Sequence, residues 1–246
     1  MLPPMRVLSS LLLLSLGCER LSGCDVPVVV DEEEALLEAS EEVIFESTKM
    51  LGPHRAEIVK STRYHDDRRP LQEVLQVAWG NDDHFQVRRY RNGELRSETR
   101  VLEGVPYTRS GSGRFRRGTD PQIHRVELSQ TWTLWDRTIA PFAEQIVYTN
   151  SGESVIEGRP VQRYALSLVE PEVPSEQVDV QLAPGSLSGE VVLDEGSATR
   201  LSVDLEGVLL EGGDPARPRT IELKITRTEI GVFPALEVPT NPRGGL

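Results

Sequence analysis

Apolar and polar residues alternate along most of the chain, which is the pattern of strands that bury one face. The alternation is clearest over 161–168, 201–210 and 221–228. Between two earlier runs stands the pair Asn92-Gly93, which adopts the positive φ angles of a two-residue type I′ hairpin turn. Because short connections favour antiparallel neighbours, the pattern predicts about nine to eleven strands in consecutive order.

Turn-forming residues interrupt the alternation at several places. Gly111 to Gly113 and Asn150 to Gly152 are predicted turns, because Gly and Asn adopt backbone angles that other residues avoid. Glu170 to Ser186 is rich in Pro and charge and is predicted to be a long loop, with a second loop at Gly212 to Pro218. The strands are expected to lie between these breaks.

A first helix is predicted ahead of the strands. Asp31 is a suitable N-cap, and the acidic residues that follow it suit the positive end of the helix dipole. Gly52-Pro53 would end the helix. The run Glu32 to Glu34 could instead bind a metal ion, but a solvated first turn is the simpler interpretation.

A second helix is predicted in the middle of the chain, over Leu128 to Tyr148. Apolar residues recur there at helical spacing, and Pro141 would kink or divide the helix. The apolar stripe consists of Trp132, Trp135, Ile139, Phe142 and Ile146. Two interpretations stay open: the stripe packs the helix on the sheet, or its first four members form the lid of a lipid-sized cavity.

The N-terminus has the order of an export signal: one basic residue, a short apolar run and a small residue before a cysteine. Arg6 is followed by Val7 to Leu16, then Gly17 and Cys18. A helix needs roughly 20 apolar residues to cross a bilayer, and this run has about half of them. The order predicts a signal peptide at 1–17.

The chain has two cysteines, Cys18 and Cys24. Gly17-Cys18 resembles the lipobox of bacterial lipoproteins, in which the thiol carries acyl chains such as palmitate. Leu21 to Cys24 matches the lipobox letters more closely, but a charged pair separates it from the apolar run. We therefore predict a lipid anchor on Cys18, with Cys24 as the alternative, and a tether at 18–30. A disulfide between the two cysteines is the remaining alternative.

The residue after the anchor indicates which membrane holds the protein. Asp25 after Cys24 would resemble an inner-membrane retention signal, whereas Glu19 after Cys18 does not. Two or three acyl chains hold a protein stably on a membrane. Anchorage through Cys18 therefore predicts an outer-membrane protein whose single domain, 31–246, faces the periplasm.

The charge of the chain limits its partners. The net charge is −12, and an acidic protein repels nucleic acid, so we expect no nucleic-acid partner. Nine arginines nevertheless cluster between 88 and 117. They either pair with carboxylates on the polar face of the sheet or form a basic patch for anionic lipid headgroups or an acidic protein. The second hypothesis singles out Arg114, Arg116 and Arg117.

The sequence shows no catalytic or metal-binding motif. The four histidines, His54, His65, His84 and His124, lack metal-ligand spacing. His65-Asp66-Asp67 could supply a His and two carboxylates, but a polar turn is the simpler interpretation. No Gly-x-Ser-x-Gly elbow, phosphate loop or His-Glu-x-x-His pair is present. We therefore expect no enzyme activity, no metal ion and no cofactor.

Two stretches resemble a known group of proteins. Ile156 to Tyr164 and Gly189 to Asp194 resemble consecutive strands of the lipoprotein-carrier fold, which includes the LolA and LolB lipoprotein-sorting proteins and the mycobacterial lipid-carrier lipoproteins. The layout of residues 30 to 235 is similar as well. The resemblance implies a half-open β-barrel, closed by helices, that holds an acyl chain. It carries over no ligand-contacting residue.

Together these patterns predict a mainly β (α+β) fold, an antiparallel curved sheet or half-barrel with an N-terminal and a central helix. The expected function is that of a non-catalytic envelope lipoprotein that holds an acyl chain, a lipid or a lipoprotein in an apolar cavity. The alternative is a structural or assembly lipoprotein that binds another envelope protein. An apolar cavity of a few hundred Å³ would favour the first, and a solidly packed sheet the second.

Overall fold

Eleven antiparallel strands form one sheet in the part of the chain that the computed structural model describes, residues 41–66, 68–169, 182–240 and 242–243. The strands are β1 His54–Tyr64, β2 Leu71–Asn81, β3 His84–Arg91, β4 Glu94–Leu102, β5 Val105–Ser110, β6 Arg116–Arg117, β7 Ile146–Ile156, β8 Arg159–Leu168, β9 Leu182–Asp194, β10 Arg200–Glu211 and β11 Pro218–Thr228. The sheet is curved and open, so the predicted mainly β fold is confirmed. The predicted signal peptide, the tether, Cys18 and Cys24 lie outside the described residues.

The sheet consists of two meanders that meet at its centre. Its strand order is β6-β5-β4-β3-β2-β1-β11-β10-β9-β8-β7. Ile58 of β1 lies opposite Leu75 of β2 on one side and Ile225 of β11 on the other. The predicted consecutive order therefore holds within each meander, while the first and last strands pair with each other. Because β6 and β7 lie at opposite edges, the segment between them has to cross the whole sheet.

The crossing segment is helical. It comprises α2 Gln122–Trp132, α3 Leu134–Ile139 and a 3₁₀ turn, Ala140–Phe142, which together are called the helix layer below. Helix α1, Glu41–Met50, precedes the sheet. No helix of the described residues combines the length and the apolar character that a bilayer crossing requires. Residues 33–246 form one compact unit.

The helix layer buries the apolar stripe against the sheet. Trp135, Ile139 and Phe142 share the largest buried cluster with apolar residues of both meanders. Trp132 belongs to a second cluster with Trp79 of β2 and other buried residues of β2 to β4. The interpretation that the stripe packs a helix on the sheet therefore describes the observed arrangement.

The central helix differs from its prediction at both ends. It begins at Gln122 rather than Leu128, and the helical residues end at Phe142 because Pro141 lies in the 3₁₀ turn. Ile146, predicted to be helical, opens β7 opposite Leu168. Ile146 still packs on the main cluster from its strand position. Its apolar character was therefore read correctly, but its secondary structure was not.

Two predicted breaks are parts of strands. Asn150 to Gly152 forms a bulge inside β7, where the Asn150 Oδ1 accepts a hydrogen bond from the Gly152 amide at 2.8 Å and Gly152 has a φ of 117°. The last residues of the predicted loop, Leu182 to Ser186, belong to β9, and Pro184 lies at a register shift where β9 and β10 slip. A bulge or register shift accommodates turn-forming residues without ending the strand.

Other local predictions are confirmed. Asn92 and Gly93 have φ angles of 49° and 78° and join β3 to β4. Gly52 follows α1 with a φ of 85°, as expected for a residue that ends a helix. Residues 31–40 of the predicted first helix lie outside the described residues.

The segment 232–240 crosses β2 to β4. The Phe233 ring lies so close to Gly80 that a Cβ at Gly80 would be 2.7 Å from it. The Phe233 and His84 rings are 4.7 Å apart. Further along, the Arg100 guanidinium donates to the Glu237 carbonyl at 2.9 Å. A larger residue at Gly80 would therefore displace the half-exposed Phe233 ring.

Candidate functional site

A groove of about 800 Å³ lies at the β4–β6 edge of the sheet, beside the first half of α2. Among the described residues, four arginines line it, and Glu127 is the one acidic residue. The lining consists of Ser97, Thr99, Thr108, Arg109, Ser110, Gly113, Arg114, Arg116, His124, Glu127 and Arg243. We call it the arginine groove. Its lining carries an excess of positive charge within an acidic protein.

The strand register places short polar side chains on the floor of the groove. Thr99 of β4 lies opposite Thr108 of β5, and Thr108 lies opposite Arg116 of β6. Directly opposed residues share a face of the sheet, so Arg116 projects over the two threonines. Short hydroxyl side chains leave room above the strands, and the arginines form the rim.

Arg243 joins the groove from the far end of the chain. Its amide donates to the Phe115 carbonyl at 2.9 Å, and its carbonyl accepts from the Arg117 amide at 3.0 Å. These bonds form a parallel bridge to Arg116 at the edge of the sheet. Sequence reasoning missed Arg243, because a lone arginine in a Pro- and Gly-rich segment carries no periodic signal.

The carboxylate of Glu127, the acidic residue of the groove, already binds other side chains of the protein. Arg89 donates to its carboxylate at 3.0 Å and Thr99 at 3.2 Å, and the His124 Nδ1 lies 3.5 Å away. The hydrogen bond from His124 and the charge of Arg89 outweigh burial and lower the pKa of Glu127. Glu127 is therefore ionised at neutral pH, but its oxygens face Arg89, Thr99 and His124.

Glu98, next to the groove, binds three arginines. Its side chain is fully buried and accepts hydrogen bonds from Arg100 and Arg109, each at 2.8 Å, while the Arg88 Nε lies 3.3 Å away. Burial by itself raises the pKa of Glu98, but the hydrogen bonds from Arg100 and Arg109 and the nearby charges lower it below its ordinary value. One carboxylate shared by three guanidiniums leaves net positive charge beside the groove.

The structure separates the clustered arginines into two sets. Arg88, Arg89, Arg96, Arg100 and Arg109 each lie within 4.0 Å of a carboxylate, as the first interpretation of the cluster predicts. Within the described part of the chain, Arg91, Arg114, Arg116 and Arg117 have no such carboxylate partner, and neither has Arg243, which lies outside the cluster. Of these, the groove is lined by Arg114, Arg116 and Arg243. These three cations are therefore available to an anionic ligand.

The three arginines singled out from the sequence do not share one surface. Arg114 and Arg116 line the groove, and all three side chains are exposed. Arg117 lies opposite Tyr107, on the other face of β6 from Arg116, because successive strand residues point to opposite faces. Arg117 is therefore not part of the arginine groove.

The predicted lid residues are seated on the sheet. Trp132, Trp135, Ile139 and Phe142 are each at most 2% exposed. Phe142 rests directly on β10, where a Cβ at Gly207 would lie 2.8 Å from its ring. Between the two tryptophans and the sheet lies a void of about 10 Å³. In this arrangement the helix layer and the sheet are in direct contact at all four positions.

In residues 41–66, 68–169, 182–240 and 242–243, no three His, Cys, Asp or Glu side chains gather as a metal site would require. The arginine groove instead gathers guanidinium groups at one edge of the sheet. Its arrangement suits the recognition of an anion by guanidinium groups, because guanidinium presents a planar fork of donors to phosphate or carboxylate.

No protein-family model matches the chain, and no curated protein matches it. Several solved structures are similar to it. The lipoprotein LppX of Mycobacterium tuberculosis is 10% identical, with 80% of this chain and 100% of that chain covered and a TM-score of 0.31. A LolA superfamily protein from Nitrosomonas europaea is 7% identical, with 80% and 98% covered and a TM-score of 0.26.

MucB is 15% identical at a TM-score of 0.31; the match covers 79% of this chain but only 59% of MucB. The sequence resembles the LolA group, and a LolA superfamily protein is among the similar structures. At such TM-scores the likeness supports no argument about function.

Proposed function

We propose that this protein is a non-catalytic lipid-binding lipoprotein of the bacterial envelope, and that the arginine groove receives the anionic headgroup of the lipid. It is anchored through Cys18, or alternatively Cys24, and faces the periplasm from the outer membrane. The observation that carries the proposal is the groove itself: four arginines line it, and its one glutamate is engaged by other side chains.

The size and the charge of the groove both suit a lipid headgroup. Ligand pockets commonly measure about 300–1,000 Å³, and the groove measures about 800 Å³. Each arginine near an anionic lipid surface contributes roughly 1 kcal/mol of binding free energy. Arg114, Arg116 and Arg243 together would therefore supply about 3 kcal/mol, enough for a weak but specific headgroup contact.

We propose that the acyl chain enters between the helix layer and the sheet. His124 and Glu127 of α2 line the groove, and Trp132 at the end of the same helix lies on the sheet. A headgroup in the groove would thus touch the helix that continues into the lid. Because the lid residues are seated, uptake of an acyl chain requires the helix layer to lift from β9 and β10.

We expect the double variant Arg114→Ser with Arg116→Ser to bind anionic vesicles about 30-fold more weakly than the unchanged protein, since two surface cations are lost. Arg117→Ser is the matched control, because it removes one exposed arginine of the same strand that points away from the groove. The assay is flotation of residues 33–246, the compact unit without either cysteine, with phosphatidylglycerol vesicles.

Phosphatidylcholine vesicles and added salt complete this experiment. Binding should be absent on the zwitterionic vesicles and should weaken with salt, because exposed charges are screened. Equal binding by the double variant and the Arg117→Ser control would refute the headgroup site. Circular dichroism beforehand establishes that each protein is folded.

A structural or assembly role is the second candidate, and the solid packing of the lid residues favours it. The two roles differ in what the protein carries when it is purified from its own cells. Native mass spectrometry should find a lipid on a lipid-binding protein. Purification without any lipid, together with loss of a bound acidic envelope protein in the Arg114→Ser/Arg116→Ser variant, would favour the assembly role.

A further inference from the structure

Large apolar side chains are exposed at one end of the sheet, on the segments that contact the turn between β2 and β3. They are Met50 at the end of α1, Ile123 and Val126 of α2, and Val232 and Phe233 after β11, and each is at least 52% exposed. We call this set the apolar corner. Single exposed apolar residues are ordinary on a protein surface, whereas several at one place mark a contact with a partner.

Polar contacts hold both helices at this turn. The Lys49 Nζ, at the end of α1, lies 3.1 Å from the Asp82 carboxylate. Arg125 of α2 donates a hydrogen bond to the Asp82 carbonyl at 3.2 Å. Met50 follows Lys49 and Val126 follows Arg125 in the chain. The contacts with Asp82 therefore bring these two apolar residues to the same end of the sheet.

The segment that follows β11 reaches the same turn. The Gly231 amide donates to the Pro53 carbonyl at 2.7 Å, just beyond the end of α1. The His84 Nε2, at the start of β3, lies 3.1 Å from the Pro234 carbonyl. The two apolar residues of this segment, 232 and 233, lie between these two contacts. They are therefore fixed beside the turn as well.

The ion pairs of this corner expose their carboxylates more than their cations. In the pair of Asp83 with Arg125, the aspartate side chain is 59% exposed and the arginine side chain 24%. In the pair of Glu46 with Lys49, the corresponding values are 59% and 26%. Glu229, directly after β11, is also the more exposed member of its ion pair. Carboxylates therefore form the outer rim of the apolar corner.

The apolar corner and the arginine groove use different faces of α2. Ile123 and Val126 are neighbours on the exposed face, because residues three apart in a helix lie side by side. His124 and Glu127 line the groove instead. Docking at the corner therefore does not require a lipid in the groove.

We propose that the apolar corner docks a basic amphipathic segment of another envelope protein. Apolar side chains of the segment cover Val126 and Phe233, and its Lys or Arg side chains pair with the exposed carboxylates of the rim. Phe and Met are enriched in protein interfaces, which suits the composition of the corner. The acidic rim repels an anionic membrane surface, and it also repels a second copy of the chain that presents the same corner. A basic segment matches both the apolar residues and the charge.

Two model peptides test the docking surface. Both are amphipathic helices with leucine on one face, and the other face carries lysine in one peptide and glutamate in the other. In fluorescence anisotropy, the full chain should bind the labelled leucine–lysine peptide and should not bind the leucine–glutamate peptide. Val126→Ser with Phe233→Ser should weaken binding about 10-fold, because two apolar contacts are lost. Val155→Ser is the matched control, since Val155 is 66% exposed on β7 at the far edge of the sheet.

A second pair of variants tests the acidic rim with the same leucine–lysine peptide. Glu46→Gln with Glu229→Gln should weaken binding about 5-fold, because two surface charges of the rim are lost. Asp204→Asn with Glu222→Gln is the control, since it removes two paired carboxylates of β10 and β11 away from the corner. The substituted corner side chains are more than half exposed, so folding should be intact, and circular dichroism checks this.

Four results would overturn the proposal. Equal peptide binding by the Val126→Ser/Phe233→Ser variant and the Val155→Ser control would place the peptide elsewhere. Equal binding of the two peptides would show that the rim does not select a basic partner. Self-association in sedimentation that this double variant abolishes would assign the corner to a second copy of the chain. Flotation with phosphatidylcholine vesicles that it abolishes would assign the corner to a lipid surface.

Discussion

Replacing Phe142 with Ala is expected to lower the free energy of unfolding by about 4 kcal/mol. The Phe142 side chain has 0% exposure and lies in the main buried cluster. Its ring contacts β10 at Gly207, where there is no side chain that could move into the space left behind. The substitution therefore removes a buried ring and leaves a cavity, and both changes destabilise the fold.

Denaturant unfolding followed by tryptophan fluorescence measures this loss. Val155→Ala is the matched control, because Val155 of β7 is 66% exposed and its truncation should change stability by less than about 0.5 kcal/mol. A loss below about 1 kcal/mol for Phe142→Ala would mean that the 3₁₀ turn does not hold the helix layer on the sheet. That result would also favour a lid that opens without cost.

Local patterns explain most of what could be predicted from the sequence. The strands at 201–210 and 221–228 were recognisable because a buried face and a more exposed face alternate along them. The Asn92-Gly93 turn was recognisable because its backbone angles demand those residues. Such features depend only on residues that are close together in the sequence, so a single sequence is enough to predict them.

Features that depend on distant residues could not be predicted. The pairing of β1 with β11 joins the first and last described strands of the chain at the centre of the sheet, and no local pattern specifies it. The same holds for Arg243, which reaches the groove through a bridge to Arg116. The arginine cluster was visible, but its division into arginines paired with a carboxylate and arginines without one depends on which strands lie side by side.

Asp194 ends the stretch Gly189 to Asp194 that resembles the lipoprotein-carrier fold, and the structure shows what its side chain binds. It ends β9, is 1% exposed, and accepts two hydrogen bonds from Arg159 of β8, at 2.6 and 2.9 Å. The Ser197 amide and hydroxyl donate to the same carboxylate at 2.8 and 2.7 Å. Asp194 therefore holds the start of β8 and the turn between β9 and β10 together.

We expect Asp194→Asn to lower the free energy of unfolding by about 3 kcal/mol at neutral pH, because removing one partner of a buried ion pair leaves the other uncompensated. The side chain of Arg159 is 32% exposed, so water solvates part of the remaining charge and keeps the loss near the lower end of the usual range. Asp204→Asn is the matched control. Asp204 pairs with Lys224 at 3.2 Å but is 67% exposed, so its loss should cost less than about 1 kcal/mol.

The pH dependence of stability distinguishes an ionic role of the Asp194 carboxylate from a purely steric role. Burial by itself raises the pKa of Asp194, but the hydrogen bonds from Arg159 and Ser197 lower it below the ordinary value of 3.8. A group whose pKa is lower in the folded state stabilises the protein above its unfolded-state pKa, and this contribution disappears as the pH falls through the folded-state pKa. The difference in stability between the unchanged protein and Asp194→Asn should therefore be constant near neutral pH and shrink below about pH 4.

Glu98 and Glu127 also have lowered pKa values, so acid weakens the whole protein and a single unfolding curve cannot isolate one carboxylate. Subtracting the stability of Asp194→Asn from that of the unchanged protein at each pH removes the contributions of Glu98 and Glu127, provided that these distant sites act independently. A difference that persists unchanged at low pH would contradict an ionic role for Asp194. It would assign the effect of the substitution to the shape and donor groups of the amide rather than to the charge of Asp194.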